Sequence, residues 1–103
     1  MSADFARALQ LADLPPGTKK AVEIGGRSVL ICHAGDRLYA ISNICSHAEE
    51  RLECGRLGRS WISCPAHGAR FDLATGRAMN PPAVKPIATF EVRLVEEWIE
   101  VLV

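Results

Sequence analysis

Two pairs of metal-binding side chains, Cys45-Ser46-His47 and Cys64-Pro65-Ala66-His67, constrain this chain more than any other feature. The pattern is C-x-H, sixteen intervening residues, then C-x-x-H. Each pair offers one thiolate and one imidazole from a tight loop. Gly68, directly after the second pair, suits a backbone that must turn close to a metal. At 103 residues the chain reads as one domain, residues 1–103, with a modest apolar core. A domain of that size buries limited surface, so a bound metal centre would add to its stability.

Charge and thiol chemistry narrow the class further. Twelve basic and twelve acidic residues give a net charge of zero. No block of like charge stands out, which argues against a nucleic-acid or membrane-surface role. The opening Met1-Ser2-Ala3-Asp4-Phe5-Ala6-Arg7 lacks the basic start and apolar stretch of a signal peptide. Nothing approaches the roughly 20 apolar residues of a membrane span. The expected location is cytoplasmic, where thiols stay reduced, so four cysteines point to ligands or core residues rather than two disulfides.

Outside the ligand region the pattern is short and strand-like. Thr18 to Ile24 runs into Gly25-Gly26 and then Arg27–His33, which predicts a hairpin. Val29–Cys32 and Leu38–Ile41 are β-favouring runs divided by the turn signal Ala34-Gly35-Asp36. Thr89–Leu94 alternates apolar and polar or charged residues, and Trp98–Val103 follows Glu96-Glu97, a second hairpin with no glycine at its turn. No segment carries a long helical period. The expected fold is all-β, a small antiparallel β-sandwich or barrel. Residues 43–86 hold all four candidate ligands and four of the six prolines, and read as an inserted cluster-binding lobe of loops around a short strand, Trp61-Ile62-Ser63.

The run Trp61-Ile62-Ser63-Cys64-Pro65-Ala66-His67-Gly68-Ala69-Arg70-Phe71-Asp72-Leu73-Ala74-Thr75-Gly76 resembles the second cluster loop of Rieske ferredoxins, and Asn43-Ile44-Cys45-Ser46-His47 resembles the first. Asn80-Pro81-Pro82-Ala83 is similar to the proline loop that covers the cluster in that family. The opening Leu11–Gly17 and the final hairpin fit as well, so the resemblance spans essentially the whole chain. It implies the Rieske fold and one [2Fe–2S] cluster, with Cys45 and Cys64 on one iron and His47 and His67 on the other. Two ferric ions and two sulfides sum to a charge of +2, and two thiolates cancel it. The oxidised site is then neutral and the reduced site −1, whereas four thiolates would give −2 and −3. Adding an electron to a neutral site costs less, which is why Rieske centres lie at about −150 to +300 mV against roughly −400 mV for plant-type clusters.

High-potential Rieske proteins carry an extra cysteine in each loop and serine and tyrosine hydroxyls directed at the cluster. The corresponding positions here are Glu50, Ala66, Ala69 and Phe71, none of which supplies either feature. The resemblance therefore implies a potential near −150 mV. It points to the ferredoxin components of bacterial aromatic-ring-hydroxylating dioxygenase systems. These are not enzymes themselves: they take single electrons from an NAD(P)H-dependent flavoprotein ferredoxin reductase and pass them to a terminal Rieske oxygenase. Three histidines, two of them assigned to the cluster, leave only His33, too few for an oxygenase's own mononuclear iron. A monomer docking transiently at the cluster tip is expected.

Two alternatives stay open on the residues alone: a small subunit of assimilatory nitrite reductase, and a domain stabilised by a structural Cys₂His₂ zinc site. Of the remaining candidates, Cys32 is expected as a core residue, Cys54 as an inert free thiol, and His33 as an ordinary histidine near a turn. Trp61 and Trp98 are expected to pack. Pro81 and Pro82 are expected to shield the cluster.

Overall fold

In a computed structural model, which describes residues 4–46, 50–66, 68–81 and 85–103, the chain forms eight strands and two short 3-10 turns. The strands are β1 (Ala6–Gln10), β2 (Thr18–Ile24), β3 (Arg27–Ala34), β4 (Arg37–Ser42), β5 (Trp61–Ser63), β6 (Arg70–Asp72), β7 (Thr89–Val95) and β8 (Trp98–Leu102). Six of them make one antiparallel sheet in the order β1-β8-β7-β4-β3-β2. Its two edge strands, β1 and β2, approach each other, so the sheet curls into a nearly closed barrel. No helix among the described residues is long and apolar enough to cross a membrane.

The hairpins expected from the sequence are present, and their turns are two residues long. Ile24 faces Arg27 across Gly25-Gly26, whose φ angles of 58° and 80° belong to the left-handed region that glycine enters without strain. Val95 faces Trp98 across Glu96-Glu97, and here both residues sit at positive φ, 47° and 72°, without being glycine. Each such residue costs about 1–2 kcal/mol. The double variant E96N/E97G therefore should stabilise the fold by about 1 kcal/mol and raise the thermal midpoint by roughly 4 °C in a calorimetric scan.

Strand β3 explains how the barrel carries the ligand region. Its residues are buried on both faces. Val29 and Ile31 point into the barrel beside Leu9, Ala40, Ile99 and Val101. Leu30, Cys32 and Ala34 point outward, into a second core with Ile41, Leu52, Ile62, Phe71, Leu73 and Ile87. The sheet is thus packed between its own interior and the region that follows β4. Cys32 is a core residue, as expected: it is fully buried, and burial pushes its thiol up to about 12.

A thiol that stays protonated in the folded protein but ionises in the unfolded chain favours unfolding as the pH rises. Folding stability contributed by this group is intact below the ordinary thiol range and is lost between it and about 12. By pH 10.5 the loss should reach about 2 kcal/mol. C32A, followed by urea unfolding from pH 8 to 10.5, should flatten that decline.

Two strands were not read from the sequence. β1 (Ala-Arg-Ala-Leu-Gln) is built of helix-favouring residues and is extended because it pairs with β8, with an irregularity in register between Arg7 and Leu9. β6 is three residues long and lies inside the second ligand loop motif. The ligand region is correspondingly less loop-like than expected. Beyond β5 and β6, Leu57 pairs with Ile62 and Ala78 with Phe71, which extends the hairpin on both sides into a small four-rung meander.

Candidate metal centre

The first ligand loop is closed at its base by backbone. Cys45 N–H donates to the Glu50 carbonyl (2.9 Å), Leu52 N–H donates to the Asn43 carbonyl (2.7 Å), and Ile44 pairs with Arg51. The second loop joins β5 to β6. There Cys64 N–H donates to the Ala69 carbonyl (2.7 Å) and Gly68 N–H to the Cys64 carbonyl (3.0 Å). Gly68 has φ of 71°, and a β-carbon at that position would meet nothing within 4 Å. That φ lies in the left-handed region that glycine enters without strain.

Both loops are tied to the segment that follows. Ser46 Oγ donates to the Lys85 carbonyl (2.6 Å). Asn80 Oδ1 accepts from the Arg70 N–H (2.7 Å), and Met79 N–H donates to the Arg70 carbonyl (2.8 Å). Gly76 closes the far side: Ile87 N–H donates to its carbonyl at 2.8 Å, and a β-carbon on Gly76 would lie 2.0 Å from the Ile87 carbonyl oxygen.

These constraints bring Cys45 and Cys64 into one buried cluster with Cys32, Leu52, Ala69 and Phe71. They are 4% and 1% exposed, whereas Pro65, Ala66 and Pro81 around them are exposed. Cys45 and Cys64 thus lie on the core side of residues that face out. His47, His67 and Pro82 lie outside the described residues, and among the described residues no three His, Cys, Asp or Glu side chains form a cluster. Two cysteines from separate backbone-locked loops, brought into one apolar core, fit a thiolate-ligated centre.

Cys54 is exposed. His33 is half-buried and its Nδ1 lies 2.8 Å from the Leu14 carbonyl, pinning the end of β3 to the 3-10 turn before β2. Trp98 is half-buried, with the Arg7 guanidinium 5.0 Å from its ring centre.

One residue that positions the first loop escaped the sequence reading except as a letter of the motif. Asn43 is fully buried, and its polar atoms are all partnered. Nδ2 donates to Ser28 Oγ (3.0 Å) and Glu53 Oε1 (2.8 Å), and Oδ1 accepts from the Glu53 N–H (2.9 Å). It fastens the base of the Cys45 loop to β3 on one side and to the 3-10 turn Leu52–Cys54 on the other. A polar residue two positions before a ligand, at the end of a β-run, is the signal that could have marked it. N43A strands the Glu53 amide and should cost about 2 kcal/mol in urea unfolding.

The ferredoxin component of the naphthalene 1,2-dioxygenase/salicylate 5-hydroxylase systems of Ralstonia sp is 33% identical over 94 residues, covering 91% of this chain and 90% of that protein. The ferredoxin of carbazole 1,9a-dioxygenase from Nocardioides aromaticivorans IC177 superposes with a TM-score of 0.92 at 37% identity, covering 97% of this chain and 98% of that one. A structure of the complex of reduced oxygenase and oxidised ferredoxin in carbazole 1,9a-dioxygenase contains a chain matching at TM-score 0.90 and 29% identity, over 98% of this chain and 94% of that one. Residues 4–91, which include both ligand loops and the backbone that locks them, match the Rieske [2Fe-2S] domain, so the chain belongs to that family and carries one [2Fe–2S] cluster.

Proposed function

We propose that the protein is a one-electron carrier that takes electrons from an NAD(P)H-dependent flavoprotein ferredoxin reductase and delivers them to a terminal ring-hydroxylating Rieske oxygenase. One observation carries this reading: both cysteines are buried in the packed core while Pro65, Ala66 and Pro81 are exposed. The relatives support it, being ferredoxin components of dioxygenase systems, one of them seen in complex with its oxygenase.

In this reading Cys45 and Cys64 hold one iron, and His47 and His67 hold the other. When bound, the cluster takes up and releases a single electron. The chain's own residues do the rest. The two thiolates neutralise the oxidised site, and their burial keeps water from the sulfur-ligated side. Ala69 and Phe71, fully buried in the same core, bring no hydroxyl to it, which supports a potential at the low end of the Rieske range, near −150 mV. The exposed Pro65, Ala66 and Pro81 frame a small, weak docking tip suited to rapid exchange of partners. The protein acts as a cytoplasmic monomer with its cluster lobe over residues 43–86.

The test is an absorption and EPR spectrum of the purified protein before and after dithionite. A red-brown protein with a rhombic reduced signal, at an average g below the four-cysteine value, is expected. A colourless protein that contains zinc overturns the reading.

A further inference from the structure

The small meander over the second core has two faces. Leu57, Ile62, Phe71 and Ala78 point inward against that core. Strand alternation then places Arg56, Trp61, Arg70, Asp72, Arg77 and Met79 on the outward face. Trp61 is flanked on that face by two neighbours. A β-carbon on Gly58 would lie 2.1 Å from the indole, so glycine lets the ring lie flat there. On its other side the Arg70 guanidinium stacks 4.1 Å from the ring centre. Met79, 53% exposed, lies across from Arg70 and borders two adjoining grooves of about 360 and 560 Å³.

The charge of this face is one-sided. Arg56, Arg70 and Arg77 are exposed, and among the described residues none of their guanidinium groups meets a carboxylate. The single acid, Asp72, is occupied: its Oδ2 accepts from the Thr75 N–H (2.9 Å) and Oγ1 (2.8 Å). The face also leads directly into the tip, because β5 and β6 are the two strands that the Cys64 loop connects. A stacked Trp–Arg pair beside an exposed methionine has the composition of a protein contact, and the unmatched arginines specify carboxylates opposite.

We propose that this outward face of the lobe binds an acidic surface on the electron-donating flavoprotein reductase. The choice of donor over acceptor follows from charge. With two thiolates the oxidised site is neutral and the reduced site carries −1, so reduction weakens attraction to an acidic partner. A partner bound through carboxylates therefore holds the oxidised carrier more tightly and releases it once reduced, as a donor must. An acceptor needs the opposite preference. The inference rests on the electron-carrier reading above.

The test uses the holoprotein and two probes, the flavoprotein reductase and the terminal oxygenase of the Nocardioides carbazole 1,9a-dioxygenase system. Calorimetric dissociation constants are measured at low salt for oxidised and dithionite-reduced protein. Wild type should bind the reductase several-fold more tightly when oxidised. R70E/R77E should weaken that binding roughly tenfold while leaving oxygenase binding within about twofold. K20E/R37E makes the same charge change on exposed barrel residues and should have little effect on either. The proposal is overturned by failure of wild type to bind the reductase, by an equal loss in K20E/R37E, or by a loss confined to the oxygenase. Unchanged reductase binding in R70E/R77E overturns it too. Failure of the carrier reading looks different, since the protein would then show no Rieske EPR signal after dithionite in any variant.

Discussion

C64S and C45S are expected to abolish the visible absorption of the protein and to lower its thermal midpoint by roughly 15–30 °C. Serine is nearly the shape of cysteine, so the packing of the second core around these positions changes little. What is lost is the cluster, whose binding to the folded state alone stabilises it by linkage. A ligand bound at about a thousand times its dissociation constant contributes about 4 kcal/mol, and each kcal/mol moves the midpoint of a domain this size by about 4–8 °C. The damage should also be local. The barrel interior of Val29, Ile31, Ile99 and Val101 is a separate cluster and does not include either cysteine. Hydrogen exchange should therefore quicken in residues 43–52 and 64–69 while β3 and β8 remain protected. A serine variant that keeps its colour, or whose midpoint moves by only a few degrees, would refute the ligand assignment.

The parts of this molecule that could be read from sequence are those where local chemistry and tertiary structure agree. Gly25-Gly26 between two short strand-like segments specifies a hairpin, and the paired C-x-H and C-x-x-H motifs announce a metal because few other arrangements need them. The elements that escaped are those in which context overrides local preference. Ala6–Gln10 becomes a strand only because β8 offers it an edge. Arg70–Asp72 is too short for an alternation to register, and what holds it is pairing to β5 on one side and to Ala78 on the other. Asn43 was legible as a motif residue but not as the buried anchor of the loop, since its partners Ser28 and Glu53 come from separate parts of the chain. His33 is similar: its bond to the Leu14 carbonyl spans nineteen positions that no local pattern joins.

A69S is expected to raise the midpoint potential by about 60 mV above that of the wild type. Reduction adds one negative charge, so a hydroxyl directed at the sulfur is held more strongly by the reduced site than by the oxidised one. A hydrogen bond to a charged group contributes about 1.5–3 kcal/mol, and a one-electron couple shifts 59 mV for each 1.4 kcal/mol of differential stabilisation. The lower end of that range applies because the oxidised site accepts the bond too. Ala69 sits fully buried in the core that holds both cysteines, and its carbonyl already accepts the Cys64 amide, so a serine there is carried on rigid backbone. F71Y tests the same physics with a different penalty. Phe71 is the largest of the fully buried side chains, and an added hydroxyl must force space in a closed core. The potential should rise in F71Y while stability falls by about 1–3 kcal/mol, whereas A69S should gain potential at little cost in stability. Redox titration followed by EPR, set beside urea unfolding of the same samples, separates the two effects. An A69S protein with an intact Rieske signal and an unmoved midpoint would show that this backbone does not direct residue 69 at the cluster. The absence of hydroxyls at Ala69 and Phe71 would then no longer account for a low potential.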